Sequence, residues 1–355
     1  MFEVISKDGK ARRGVLTVNG KSAQTPFFMP VATKAVGKFV SSDDYHVVGT
    51  KTIITNAFLL SLEENFVGPV SSFMGFEGMV FTDNGGFQML RENLLLDSSD
   101  SGVNFKNPYN GKDVFISPRR IMDIQESVGG DVIMALDCVL PYGKSKEEFS
   151  EGLRRSCLWT RKSKECYRGK QLVFGITQGG VFEDLRKKSC EFVKSLGFDG
   201  YSIGGLGIGE SSEDMFKMVD VCVETLEEDK PKYLMGVGDP KQILECVSRG
   251  VDIFDSILPA KHARHGYLFT WDGLLNMKKA SSVSDSPVDK NCSCFVCKTY
   301  TRRYLRYLFK KKDAVYMRLA TVHNLAFMAE FMKAIHESIS SGKFSEFKKK
   351  VLGKY

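Results

Sequence analysis

Between residues 27 and 254 short apolar runs alternate with amphipathic stretches, and this alternation holds the chain to a parallel α/β fold. The apolar runs predict strands at 27–32, 52–55, 79–82, 132–136, 173–177, 201–203, 232–235 and 251–254. Helical patterns lie between most of them: 118–129 with a first-turn proline, the long charged stretch 146–167, then 183–196, 214–226 and 240–249. Eight such strands point to a (β/α)8 TIM barrel, which typically needs about 250 residues, and the span available is close to that. The competing fold, an open doubly wound sheet, would usually carry a glycine-rich phosphate turn after its first strand. Pro30-Val31-Ala32-Thr33 is not one.

The residues that succeed the predicted strands are mostly polar or glycine. Asn56 comes after the second, Asp83 after the third, Asp137 after the fourth and Gln178 after the fifth; Gly204-Gly205, Gly236 and Asp255 come after the last three. Barrel active sites are assembled from the C-terminal ends of the strands. Three carboxylates, two amides and two glycine sites converging there form a polar pocket that a ligand can approach through backbone. A polar residue opening one loop is ordinary; the complete set is harder to explain that way.

Residues 1–25 alternate and turn at Asp8-Gly9 and Asn19-Gly20, which predicts a small N-terminal β-hairpin element. Residues 270–279 read as another hairpin, a serine-rich loop comes next at 281–286, and the remaining tail looks helical and basic. The expected division is a catalytic barrel over 1–270 and a C-terminal, basic, helical subdomain over 271–355 packed on it. The formal charge of +7 permits an anionic partner without demanding one. Lys298, Arg302, Arg303, Arg306 and Lys310 to Lys312 fall in one short stretch, readable as a solvated helix face or as a nucleic-acid patch. The N-terminus shows no signal-peptide core and no apolar run reaches membrane-spanning length, so a cytoplasmic protein is expected.

Six of the nine cysteines are scattered, whereas Cys292, Cys294 and Cys297 sit within six residues. The odd count and this spacing argue against a disulfide framework and for a reducing compartment. With His323, which comes after Cys297 with 25 intervening residues, they would complete a Cys3His tetrahedron, the pattern of one structural zinc ion that pins a loop-rich tail. Reduced core thiols are the competing reading. His46 and His336 have no partner pattern and read as surface or satisfied histidines.

These motifs carry a family resemblance. Thr82-Asp83-Asn84-Gly85-Gly86-Phe87-Gln88 resembles the signature turn of the tRNA-guanine transglycosylases. Gln178-Gly179, Gly204-Gly205-Leu206, Tyr233-Leu234-Met235-Gly236-Val237-Gly238 and Phe254-Asp255 are similar to further motifs of that family, in the family's order. Ala11-Arg12-Arg13-Gly14 and the cysteine cluster fit as well, so the likeness covers essentially the whole chain. It implies a barrel with a zinc-bearing insertion and an enzyme that replaces guanine 34 in the anticodon of G-U-N tRNAs by a 7-deazaguanine base, preQ1 or queuine. It also implies a homodimer. Without the long C-terminal extension of the archaeal enzymes, the chain resembles the bacterial and eukaryotic type.

The resemblance assigns roles. Asp255 would be the nucleophile at C1′ of the nucleotide and Asp83 the general acid/base, a role a raised pKa would suit. Asp137 would accept from the N1–H and 2-amino edge of the base, Gln178 and the backbone of Gly205 and Leu206 would reach its carbonyl side, and Phe87 and Met235 would sandwich the ring, with Asn56 and Gly236 completing the pocket. The loop from Leu258 to Gly266 resembles the anticodon-reading loop, with Lys261, His262 and Arg264 as contacts to a flipped-out anticodon nucleotide's neighbours. A basic loop at this place could instead hold a small phosphate.

Departures from the family pattern are specific. Asn84 stands where a serine is usual, Ala57 and Leu59 replace the Thr and His of Asn-Thr-Phe-His-Leu, and Ala260-Lys261-His262 replaces Thr-Arg-Asn. Val139 resembles the queuine-using branch, whereas Ile208 is bulkier than the glycine usual there. Three other readings remain: a non-catalytic RNA-binding partner subunit, a DNA-directed deazapurine transglycosylase, and a metal-dependent hydrolase. Partner subunits lose the nucleophile that Asp255 keeps. A hydrolase would want histidines at strand ends, and none of the five histidines directly succeeds a predicted strand.

Overall fold

The computed structural model describes every residue of the chain except Glu92. It opens with an antiparallel sheet of β1 (Phe2–Asp8), β2 (Ala11–Val18) and β3 (Lys21–Thr25), turning at Gly9 and at Asn19-Gly20, all at positive φ. The barrel begins with β4 (Phe27–Pro30), α1 (Ser42–Val47), β5 (Thr52–Asn56), α2 (Ala57–Ser61), α3 (Val70–Met74) and β6 (Met79–Asp83). An antiparallel insertion comes next: β7 (Leu95–Ser99), β8 (Gly102–Lys106) and β9 (Asp113–Ile116). The barrel resumes with α4 (Pro118–Val128), β10 (Val132–Met134), α5 (Lys146–Cys166), β11 (Leu172–Thr177), α6 (Glu183–Ser195), β12 (Gly200–Ile203), α7 (Ser212–Thr225), β13 (Lys232–Leu234), α8 (Pro240–Val247) and β14 (Ile253–Ser256). After it come α9 (Leu258–Arg264), a hairpin of β15 (Tyr267–Thr270) and β16 (Gly273–Asn276), then α10 (Phe295–Thr299), α11 (Arg302–Lys310), α12 (Ala314–Ser340) and α13 (Phe344–Leu352).

Eight parallel strands form one sheet in the order β4-β14-β13-β12-β11-β10-β6-β5, the expected barrel. The seam between β4 and β5 is closed by the Val31–Ile54 bridge, where the Ala32 N–H donates to the Ile54 carbonyl at 2.8 Å. The first strand ends at Pro30, earlier than its apolar run, since proline has no N–H to extend the ladder. β10 likewise stops at Met134: Gln125 Nε2 takes the Met134 carbonyl and Ser163 Oγ the Leu136 N–H. The C-terminal hairpin starts at Tyr267, three residues before the expected range, and turns at Trp271-Asp272.

Period-two alternation sorts the strand side chains. Phe27, Met29, Phe81, Phe174, Tyr233 and Ile253 pack inside the barrel, while Phe28, Val80, Ile133 and Val173 face the surrounding layer. Phe81 meets Phe27, Phe174 and Tyr233 edge-on at 5.9, 5.9 and 6.1 Å between ring centroids, a filled interior rather than a channel. At the N-terminal end the buried Arg12 grips Asp252 with both Nε (2.8 Å) and Nη2 (2.6 Å) and plugs the barrel floor. Local caps agree with the elements: Ser145 and Glu148 form a capping box at α5, and Pro118 sits in the first turn of α4 behind Ser117.

α12, 27 residues long, joins two cores. Its first half sends Tyr316, Leu319 and Val322 into a cluster with Cys292, Val296 and Cys297, and its second half sends Phe327, Met328 and Phe331 into the layer around the barrel. Among the described residues no helix is long and apolar enough to cross a membrane.

Candidate active site and metal centre

A cavity of about 310 Å³ opens at the C-terminal ends of the strands. Asn56, Asp83, Phe87, Asp137, Gln178, Gly205, Leu206, Met235, Gly236 and Asp255 all line it. The strand-end residues singled out from sequence therefore meet in one place.

Asp255 leaves β14 with two donors on a single oxygen: the Tyr233 hydroxyl at 2.5 Å and the Gly236 N–H at 2.8 Å, both to Oδ1. Gly236 can turn its N–H this way because its φ is +79°, which glycine adopts without strain. Oδ2 has no protein partner among the described residues. Burial pushes the Asp255 carboxyl up, and the bonds from Tyr233 and Gly236 oppose that shift. The Tyr233 phenol is held well above its ordinary value by burial and by Asp255, so it stays a donor. Replacing Tyr233 by Phe removes one of two bonds to the ionised form. The Asp255 pKa is expected to rise, and a 13C titration of its carboxyl checks this; an unchanged midpoint would show that Tyr233 does not tune it.

Asp83 ends β6. The Asn56 amide donates to its Oδ2 at 2.8 Å and also to Gln88 Oε1 at 3.1 Å. Asn56 is itself fixed, because its Oδ1 caps α2 by accepting from the Leu59 N–H at 2.8 Å. Burial, then the neighbouring Asp137 and Asp255 carboxylates, push Asp83 up to about 7 against the bonds from Gly85 and Asn56. Asp83 is therefore placed to exchange a proton in the neutral range.

Asp137 accepts from Gln178 Nε2 at 2.6 Å on Oδ2 and from Asn84 Nδ2 at 3.1 Å on Oδ1. Burial pushes it up, and Gln178 and Asn84 hold it back. Each carboxylate oxygen accepts about two hydrogen bonds, so capacity remains for a paired N–H edge. Asn84 also donates to the Ala135 carbonyl and accepts from the Gly86 N–H, both at 2.6 Å. It thus braces Asp137 against the turn after β6. Phe87 stands half exposed at the rim.

Reasoning from strand ends overlooked Tyr233, Gln88 and Asn84. The signal for Tyr233 was present: it lies two residues before Met235 in the predicted strand 232–235, so whatever brings Met235 into the cavity points Tyr233 inward below it.

Lys261, His262 and Arg264 lie on α9, outside this cavity. Arg264 lines a second cavity of about 320 Å³ with Lys34, Lys38, Ser256 and Ile257, so the two cavities share the residues just after Asp255. Lys261 is exposed. His262 is half-buried, its ring 5.7 Å from Tyr267 and 5.5 Å from Phe269. In the basic stretch of the tail the arginines are engaged locally: Arg302 with the Pro287 and Val288 carbonyls, Arg303 with Asp285, Arg306 with the Lys279 carbonyl. Lys310 to Lys312 stay exposed.

The second candidate centre gathers Cys292, Cys294, Cys297 and His323, whose donor atoms all lie within 4.8 Å of one another. The three sulfurs stand 3.9, 3.6 and 3.4 Å from His323 Nδ1. Nε2 lies 2.8 Å from the Phe269 carbonyl, which can only accept, so Nε2 carries the hydrogen and Nδ1 offers its lone pair to the thiols. This set could hold a metal ion. The next residue, Asn324, bonds the Phe269 N–H and the Pro259 and Tyr267 carbonyls, fastening the centre to β15 and α9.

Residues 7–355 match the family described as queuine tRNA-ribosyltransferase. Proteins named queuine tRNA-ribosyltransferase from Francisella tularensis subsp. tularensis (strain WY96-3418) and subsp. mediasiatica (strain FSC147) are each 40% identical to this chain, and that of subsp. novicida (strain U112) is 39% identical. Each alignment covers 100% of this chain and 98% of the relative.

Proposed function

This chain belongs to the queuine tRNA-ribosyltransferase family, and from that premise we propose that it is a pentosyltransferase exchanging guanine 34 of G-U-N tRNAs for a 7-deazaguanine base. The observation that carries the reading is the meeting of three aspartates of unlike state in one cavity. Asp255 presents a free oxygen, Asp83 is pushed up to about 7 by burial and by its carboxylate neighbours, and Asp137 offers a paired acceptor edge.

The chemistry has the logic of retaining glycoside transfer. Asp255 Oδ2 attacks C1′, the N-glycosidic bond breaks, and its electron pair leaves on guanine, which takes the proton from Asp83. The ribose is then held covalently on Asp255. The incoming base gives its proton to Asp83, attacks C1′ and frees Asp255. Asp137 and Gln178 read the base, and the Gly205 and Leu206 backbone supplies donors for its carbonyl. Lys261, His262 and Arg264 would meet the flanking nucleotides. Val139 and Ile208 both line the cavity, where the 7-substituent would be judged; incorporation of preQ1 and refusal of queuine would remove queuine as substrate.

The Cys3His set fits zinc. Tetrahedral zinc with thiolate and imidazole ligands separates sulfur from nitrogen by about 3.5 Å, within the spread of the separations found. Four protein ligands leave no open position, so the ion would be structural. The reading extends to a cytoplasmic homodimer.

Incubating labelled guanine with the protein and a G-U-N tRNA, beside a transcript carrying A34, tests the function. Label entering the G34 tRNA alone supports it. No label from a folded, metal-loaded protein would sink it.

The pH dependence of the two half-reactions should differ. An ordinary aspartate would be ionised across the neutral range, but Asp83 is protonated below about 7. Guanine release in a single turnover should therefore slow as pH rises through 7, and Asp83→Asn should abolish that limb; a flat profile in the wild type contradicts the assignment. The linkage has the same sign: raising the pKa from 3.8 to about 7 gives stability that is lost as pH rises through that window. Asp83→Asn should accordingly melt higher than wild type at pH 8.

A further inference from the structure

Arg186 on α6 is entirely buried (0 % exposed), and no carboxylate among the described residues pairs with it. A buried cation without a counter-ion is costly, so the groups it grips are informative. Nη1 donates to the Gly204 carbonyl at 2.8 Å and the Thr177 carbonyl at 3.2 Å, and Nη2 donates to the Gly180 carbonyl at 2.7 Å. Thr177 is the last residue of β11, and Gly180 and Gly204 lie in the turns after β11 and β12, which carry Gln178 and Gly205 into the base cavity. The same helix holds the Gln178 N–H through Ser189 Oγ at 2.8 Å.

The Gly204–Gly205 peptide is trans, and in a trans peptide the C=O and the following N–H point to opposite sides. With the Gly204 carbonyl drawn outward to α6, the Gly205 N–H is directed inward, to the cavity Gly205 lines. The turn cannot secure this by itself. Gly205 sits at φ +66°, and a Cβ there would stand 2.3 Å from Gln178 Oε1, so no side chain can stiffen the position. A glycine pair would otherwise let this peptide rotate; the planar guanidinium, bonded to three carbonyls at once, removes that freedom.

We propose that Arg186 is the positioning residue that aims the Gly205 N–H at the carbonyl of the bound base, so that a helix outside the pocket sets the preference for 6-oxo purines. This rests on the function proposed above, and it concerns only how the base is read.

The test uses the full-length protein with tRNA, comparing wild type, Arg186→Lys and, as a control, Arg12→Lys, which alters a buried arginine at the opposite end of the barrel. Guanine exchange is competed with 6-thioguanine, whose 6-sulfur is a larger and weaker acceptor, and with hypoxanthine, which lacks the 2-amino group. Arg186→Lys should bind guanine about tenfold more weakly, the loss of one hydrogen bond. Its preference for guanine over 6-thioguanine should fall by a similar factor while its preference over hypoxanthine holds, and Arg12→Lys should keep both. If Arg186→Lys folds and keeps both preferences, or loses both together, the proposal is overturned. Should it not fold, glycine-selective 15N labelling of the wild type decides: the Gly205 amide must shift with guanine and not with 6-thioguanine. A wild type that exchanges no guanine would sink the function itself, a result distinct from either.

Discussion

Asp255→Asn is expected to fold as the wild type does and to lose base exchange by a factor on the order of 10³ or more, the scale seen when a covalent nucleophile is removed. The substitution is nearly isosteric. An asparagine Oδ1 still accepts from the Tyr233 hydroxyl and the Gly236 N–H, so the local frame is kept. The change falls on the other terminus, where an amide nitrogen replaces the unbonded oxygen and cannot attack C1′. A buried carboxyl whose pKa is already pushed up by its surroundings is also removed, so the melting temperature should stay level or rise. Exchange of labelled guanine and denaturing gels of protein trapped with tRNA give the two readouts. Residual exchange within tenfold of wild type, or a surviving covalent adduct, would place the nucleophile elsewhere.

Breaking the proposed Cys3His zinc site should have the next largest effect. His323→Ala or Cys294→Ser should release about one zinc per chain, measured by elemental analysis, and lower the melting temperature by something on the order of 10 °C, since metal binding is folding energy for such a site. The consequence should reach beyond the tail. His323 is braced by the Phe269 carbonyl, and the adjacent Asn324 holds the Pro259 carbonyl in the first turn of α9. When the thiol–imidazole set falls apart, α9 loses an anchor, and tRNA affinity should drop more than affinity for free base. A metal-free variant with unchanged melting and tRNA affinity would refute the structural role.

The physics of each element decides how much of it was legible in sequence. Barrel strands announce themselves because both faces are buried, as in Thr52–Asn56, where every residue is buried. The polar residues at or just past their C-terminal ends could be picked out because Asp83, Asp137, Gln178 and Asp255 break apolar runs abruptly. The insertion of β7 to β9 gave no such signal: Leu95-Leu96 runs into Asp97-Ser98-Ser99, with a bulged register, mostly exposed side chains, and no alternation long enough to read. Cys292, Cys294 and Cys297 are neighbours in sequence and could be grouped on that ground, whereas His323 comes into the set only because α12 packs across them. Arg186 lies in the helical pattern at 183–196, where nothing in the sequence separates it from an exposed charge. Its burial goes with bonds to the Gly180 and Gly204 carbonyls, which only the folded turns bring to it.

Three aspartates share the cavity, while Lys34, Lys38 and Arg264 gather around the neighbouring one. The first cavity carries an excess of acid over the single cation Arg91, and the second an excess of base. On the proposed function this arrangement would act as a sieve on a polyanion, drawing the backbone of a nucleic-acid loop to the margin of the barrel mouth while an uncharged heterocycle passes inward. A nucleotide would then enter with its base leading, its sugar halting beside the unbonded oxygen of Asp255.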